Sequence, residues 1–275
     1  MTDHNEKTVG VIGGMGPKAT LDFYSKVVEK TVATHDQDHL HVIINSNPKV
    51  PNRQDALSGL GPSCAPDLIE AARSLESAGA DFVVMVCNTA HAYERHIRSA
   101  IQIPFISIIE ESVNRCVSVV PKLQKVGILA ATGCIDANLY QKQFAKKGVD
   151  CVVPSFADQH AFMELMYRIK ANDLDISIGM EMERLAQNLI DQGAEIILAA
   201  CTEVPLVLHA EFLSVPLVNS TDVLVDAAVK YASPAHVKTK TYTAPQHIFV
   251  SKESLQQSPT AQANALGRFV HSQLT

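Results

Sequence analysis

Two cysteines share one local context. Gly79-Ala-Asp-Phe-Val-Val-Met-Val-Cys87-Asn-Thr and Gly193-Ala-Glu-Ile-Ile-Leu-Ala-Ala-Cys201-Thr-Glu each set a thiol eight residues after a glycine and directly after an apolar run. A single cysteine at a strand end is more often a small core residue than a catalyst. Two at matching positions, each followed by Thr within two residues, reverse that expectation. In an open α/β sheet, ligands gather beyond the carboxyl ends of the strands, where helix N-termini follow. A thiol there is expected to have its pKa lowered by the positive end of the helix. Two thiols facing each other across a cleft would suit inversion of a carbon with an acidic hydrogen: a base on one face, a proton donor on the other.

The elements that must position these thiols form the dominant pattern of the chain. Short apolar runs alternate with helical stretches, which predicts βα units and a parallel sheet. Strands are expected at 9–12, 42–45, 82–86, 105–107, 126–129, 150–153, 196–199 and 217–218, most of them apolar throughout and so covered on both faces. Helices are expected at 21–33, 66–78, 113–119, 139–147, 177–192 and 222–232. The repeat extends upstream, where Val9-Gly10, Gly16 and Tyr24 correspond to Val126-Gly127, Gly133 and Tyr140. The fold class is therefore α/β, two halves built on one layout: residues 1–112, completed by 217–275, and residues 113–216. In the polar tail, His247–Val250 reads as one more strand and Ala261–Gln273 as a closing helix.

Four segments carry a family resemblance. GVIGGMGPKAT (Gly10–Thr20), SNPKVPNR (Ser46–Arg53), VCNTAHAY (Val86–Tyr93) and AACTEVP (Ala199–Pro205) resemble, in order, the signatures of the aspartate/glutamate racemase family, which works without pyridoxal phosphate. The resemblance runs through most of residues 8–232. It implies two pseudo-symmetric Rossmann-like domains with parallel-sheet cores, an active site in the interdomain cleft, no cofactor and a homodimer. By resemblance, Cys87 and Cys201 would be the two acid/base groups. Asn88 and Thr89 would bind the substrate carboxylate with the helix-end amides, and Thr202 would do so from the other half. Arg53 would contact a substrate carboxylate, and Lys170, in MYRIK, would be the second cation. Glu203 stands where the glutamate-specific branch carries His, which points to aspartate or a broader range. Met15 would border the substrate.

Composition narrows the alternatives. With 275 residues, 47% hydrophobic and 19% charged, the chain can bury a core in each of two domains. No apolar run approaches a membrane span, and the start, MTDHNEK, lacks the order of a secretory signal. A cytoplasmic location is expected, so the six cysteines are read as thiols. A net charge of −6 offers no general phosphate-binding surface, so nucleic acid is not an expected partner. The absence of CxxC or paired-His spacing argues against a metal. The glycines of Gly10–Gly16 have the wrong spacing for a dinucleotide loop, and the second strand ends in Asn45-Ser-Asn47 rather than a ribose-binding acid. Cys64, Cys116 and Cys151 read as packed residues, and Cys134 and His91 as the two further side chains that could reach the cleft. His96 and His160 read as helix-surface groups. The leading expectation is a cofactor-independent racemase of aspartate, with glutamate or a wider range open. Hydantoin racemisation, maleate isomerisation, decarboxylation and a non-catalytic amino-acid-binding protein stand as alternatives.

Overall fold

The computed structural model describes residues 6–233. The expected tail elements at 247–250 and 261–273, and completion of the first half by the tail, lie outside the described residues. The first half runs β1 (Val9–Gly13), α1 (Pro17–Lys30), β2 (Val42–Ser46), α2 (Arg53–Ser58), α3 (Ala65–Ser77), β3 (Phe82–Met85), α4 (Glu94–Arg98), β4 (Phe105–Ile106) and α5 (Ile108–Val119). The second runs β5 (Lys125–Leu129), α6 (Thr132–Asp136), α7 (Leu139–Ala145), β6 (Asp150–Val152), α8 (Phe156–Lys170), α9 (Ile176–Asp191), β7 (Ile196–Ala199), β8 (Leu217–Asn219) and α10 (Ser220–Ala232).

Each half forms a four-stranded parallel sheet, in the orders β2-β1-β3-β4 and β6-β5-β7-β8. The two orders are the same once β5 is matched to β1, so the sequence repeat is a repeat of topology. β1, β3 and β7 are buried along their whole length, as apolar runs without alternation require. Alternate side chains feed different cores. Val9, Val11, Phe82 and Val84 of the first sheet share one cluster with Val126, Ile128, Ile196 and Leu198 of the second, filled in by α1, α5, α7 and α10. Met85 and Val83 face the opposite side with α3 and α4, and Ile197 and Ala199 face theirs with α8 and α9.

The glycine that opens each cysteine motif has a structural cause. Gly79 (φ 95°) and Gly193 (φ 92°) end α3 and α9 in the left-handed region. After each, the next amide bonds back into the helix, Ala80 N to Leu75 O at 3.0 Å and Ala194 N to Leu189 O at 3.1 Å. This stops the helix and aims the chain into the central part of the sheet. Beyond the ladders, Val86 N bonds Ile12 O at 3.0 Å and Ala200 N bonds Leu129 O at 2.8 Å, which leaves the following cysteine at the carboxyl edge in both halves.

The structure adds the short helices α2, α4 and α6 to the expected layout and departs from it in two further places. β8 pairs with β7, so residues 217–219 belong to the second sheet rather than the first half; only the following α10 returns against α1 and α5. Helix α8, 15 residues long, was not expected. It buries Phe162, Leu165, Met166 and Ile169 on one face while Met163 and Tyr167 lie on another, which blurs its apolar stripe. Its start was nonetheless encoded: the Ser155 hydroxyl accepts from Asp158 N at 3.2 Å.

Candidate active site

A cavity of about 310 Å³ opens where the carboxyl ends of the two sheets meet. The nine residues singled out from sequence all border it: Cys87 and Cys201, with Met15, Arg53, Asn88, Thr89, Lys170, Thr202 and Glu203. Residues up to 188 positions apart in the chain (Met15 to Glu203) are thus gathered by two sheets that present the same edge to one space.

The glycine-rich loop forms part of the floor. A Cβ on Gly14 (φ 90°) would lie 2.4 Å from the backbone of Asn47, so only glycine lets β1 exit this close to the end of β2. The Thr20 hydroxyl accepts from Gly14 N at 2.9 Å and donates to Gly16 O at 3.1 Å. Pro17 starts α1 and Met15 is left buried against the cavity. This is a tight strand-to-helix turn rather than a nucleotide loop.

Arg53 opens α2, capped by Asn52, whose side chain accepts from Gln54 N at 2.9 Å. Arg53 Nη1 donates to the carbonyls of Val50 and Pro51 at 3.2 and 3.0 Å, which fixes the plane of the guanidinium. The Cys64 thiol donates to the same Pro51 carbonyl at 3.4 Å, so this cysteine supports the loop from behind. The adjacent Gln54 crosses to the other half, where its Oε1 accepts from Gly133 N at 2.7 Å.

The turns after the cysteines differ from the expected helix N-termini. Cys87 leads into a five-residue 3₁₀ turn, Thr89–Tyr93, and Cys201 into a three-residue one, Val204–Leu206. So few aligned peptides carry little of a helix dipole. The thiol of Cys201 accordingly moves opposite to expectation. Burial pushes it well above the ordinary thiol range, the nearby Glu203 carboxylate adds to this, and Lys170 opposes both. Cys201 is therefore a protonated thiol at neutral pH, and its Sγ donates to Glu203 Oε2 at 3.1 Å.

Three further residues take partners that the sequence did not reveal. The Asn88 side chain receives the Tyr140 hydroxyl on Oδ1 and donates through Nδ2 to Ser220 Oγ at 3.1 Å, so it braces the Cys87 turn against the second half. The Thr202 hydroxyl donates to Glu203 Oε2 at 3.2 Å, not into open space. Glu203 is buried and its Oε1 forms an ion pair with Lys170. Burial works against the Lys170 ammonium, but the Glu203 carboxylate beside it raises its pKa overall.

Residues that sequence reasoning missed come mainly from α8, whose Met163, Met166 and Tyr167 line the cavity beside Lys170, and from Gln54. The other thiols stay outside. Cys134 is buried in the shared core, and burial pushes Cys116 up to about 12 and Cys151 to about 11. His91 is buried behind Cys87, and His96 and His160 are exposed on their helices. No helix among the described residues is long and apolar enough to cross a membrane.

Known proteins share this architecture and sequence. The family model for Asp/Glu/hydantoin racemase matches residues 12–228. The broad specificity amino-acid racemase RacX of Bacillus subtilis is 30% identical over 234 residues, 80% of this chain and 96% of that protein. The aspartate racemase of Picrophilus torridus superposes with a TM-score of 0.74 at 27% identity, over 82% of this chain and 94% of that one. A glutamate racemase from Bacillus anthracis shares the fold, with a TM-score of 0.60 at 17% identity over 81% and 80% of the two chains. A match that spans both sheets and both cysteine motifs establishes the relationship: the chain belongs to the Asp/Glu/hydantoin racemase family, a family of isomerases.

Proposed function

We propose that the protein interconverts the enantiomers of an amino acid with an acidic side chain, aspartate foremost, with Cys87 and Cys201 exchanging protons with the α-carbon from opposite faces. The observation that carries this reading is the placement of one strand-end thiol from each half in a single cavity that also holds Arg53 and Lys170. A two-base inversion needs one partner with a proton and one without. In one direction Cys87 is the acceptor and Cys201 the donor, and the two exchange roles in the other. The enantiomer whose Cα–H faces Cys87 loses its proton there, and the carbanion is reprotonated from Cys201 on the other face. The guanidinium of Arg53, held by the Val50 and Pro51 carbonyls, suits bidentate capture of the side-chain carboxylate of a dicarboxylic substrate. The name of the Picrophilus relative, an aspartate racemase, agrees with this substrate class, while that of the Bacillus subtilis relative, a broad specificity amino-acid racemase, leaves a wider range open.

The apolar wall of Met163 and Met166 favours a second reading, in which the cavity also takes neutral side chains. Both readings are tested by incubating single enantiomers of aspartate, glutamate, alanine and methionine in D2O without added pyridoxal phosphate. Uptake of α-deuterium with loss of optical rotation for aspartate supports the first reading, and the same for alanine or methionine supports the second. Cys87→Ser and Cys201→Ser should each lower racemisation by at least about a hundredfold, the usual scale of a positioned acid or base. Full activity in either variant would remove the two-thiol mechanism.

A further inference from the structure

Seven arginines lie among the described residues, and their partners divide them into two groups. Arg98, Arg115, Arg168 and Arg184 each hold a carboxylate. Arg53 holds none and borders the cavity of Cys87 and Cys201. Arg73 and Arg95 also have no carboxylate partner among the described residues, and both border a second hollow, an open groove of about 510 Å³ between α3 and the end of α4. Ile69, His96, Ser99 and Ala100 complete its lining, and it shares no residue with the first cavity. The backbone carbonyls at this end of α4 are already taken: Arg95 O accepts from Ser99 N at 3.1 Å and from Ser99 Oγ at 2.8 Å, and Ala100 O accepts from Arg73 Nε at 3.3 Å. That last bond fixes the Arg73 guanidinium and leaves both of its Nη groups without a partner among the described residues. The neighbouring carboxylates are engaged elsewhere. Glu76 Oε1 accepts from Gln102 N and Ile103 N at 2.7 and 3.1 Å, Glu94 is bound by Arg98 and Ser107 at 2.6 and 2.8 Å, and no carboxylate lines the groove.

We propose that this groove binds a dianionic phosphate group, free or carried by a small metabolite, held by Arg73 from α3 and by Arg95 from α4. Two guanidinium groups in one groove repel each other, and the fold supplies no counter-charge there. A monocarboxylate would neutralise one of them and leave the other. A phosphate concentrates about two charges on one centre and offers three acceptor oxygens, which two planar guanidinium forks can share. The His96 ring can add a further N–H, and Ile69 and Ala100 give the groove an apolar side for the carbon part of an ester. A local pocket of this kind is compatible with a net charge of −6, because it needs two cations and not the broad basic surface that nucleic acid requires.

Isothermal titration calorimetry of the full-length protein at pH 7.5 tests this, with inorganic phosphate, glycerol 3-phosphate and succinate as probes and the ionic strength held constant with sodium chloride. All titrations are repeated in Arg53→Ala, so that an anion captured by the first cavity is told apart from one in the groove. Phosphate should bind with a Kd of about 1 mM or tighter in both backgrounds, the strength of a few charge-assisted hydrogen bonds. Arg73→Ala and Arg95→Ala should each weaken this binding by about tenfold or more. Urea unfolding reports that each variant is folded, and Arg95→Gln, which keeps the length of the side chain, serves where Arg73→Ala is unstable for want of its bond to Ala100 O. Tighter binding of the ester identifies a phosphorylated metabolite as the occupant and equal binding identifies phosphate itself; either supports the site. Succinate binding as tightly as phosphate would overturn the phosphate assignment. Binding that disappears with Arg53→Ala, or that neither Arg73→Ala nor Arg95→Gln weakens, would overturn the site.

Discussion

His91 donates its Nδ1–H to the carbonyl oxygen of Cys87 at 2.8 Å, while its Nε2 accepts from the amide of Ile108 at 3.2 Å. A carbonyl can only accept and an amide N–H can only donate, so these partners require the neutral imidazole with its proton on Nδ1. The ring also lies edge-on to Phe105, with centroids 5.5 Å apart. The histidine of the CNTAH segment is thus a brace that sets the backbone carbonyl of Cys87 rather than a group in the cavity.

That brace makes stability depend on pH. Burial lowers the pKa of His91 from 6.5 to about 4. Below pH 6.5 the unfolded chain takes up a proton that the folded state refuses, so the contribution is intact above that pH and declines as pH falls toward 4. The total loss is about 3 kcal/mol, from 1.36 kcal/mol per pKa unit. His91→Gln, which does not titrate, should be less stable than the wild type at pH 7, and the gap should shrink by about 2 kcal/mol by pH 5. Urea unfolding at the two pH values checks this. A gap that stays constant would refute it.

Arg53→Ala should raise KM for aspartate by about 10- to 100-fold, the equivalent of losing a hydrogen-bonded charge pair of roughly 1.5–3 kcal/mol. Arg53→Lys should recover only part of this, because an ammonium cannot reproduce the planar fork that the Val50 and Pro51 carbonyls hold in place. Initial-rate kinetics with aspartate and alanine side by side would show the effect confined to the dicarboxylate.

A Cβ on Gly133 would lie 2.2 Å from Gln54 Oε1, the atom that ties α2 to the second half. The displaced group is the end of a flexible side chain, so Gly133→Ala should cost under about 1 kcal/mol in stability while loosening Arg53 and raising KM several-fold. Gln54→Ala should do the same. Because both remove one contact, the double variant should be no worse than either single one in a mutant cycle.

Tyr140→Phe removes the hydroxyl that binds Asn88 Oδ1 in the core between the halves. A buried acceptor left without its donor costs about 1–3 kcal/mol, readable by denaturant unfolding. Since the lost contact braces the Cys87 turn and not the carboxylate contacts, kcat should fall while KM changes little. A rise in KM alone would contradict this role.

Much of the chemistry was legible in residue order because strand ends and helix stops are local. An apolar run of fixed length after a left-handed glycine must deliver the next residue to the sheet edge, so the Gly-to-Cys spacing located Cys87 and Cys201 without any structure. The repeat likewise implied two halves of one design, and the boundary missed β8 only because a three-residue strand does not reveal which sheet it joins. Helix α8 escaped because its apolar residues serve two faces, the core and the cavity.

Other features are decided by contacts across the chain. Tyr24 and Tyr140 hold matching places in the repeat, yet one is exposed and the other fully buried against Asn88. Lys170 and Glu203, 33 residues apart, meet only once α8 is laid over the edge of the second sheet. The direction of the Cys201 pKa is decided in the same way: sequence supplied the thiol and the expectation of a helix end beside it, while the surrounding burial and the carboxylate brought in by folding reversed the sign. Local order determines which groups reach an edge. The protonation state and partner of each group depend on desolvation and charge, which exist only after the two halves have packed.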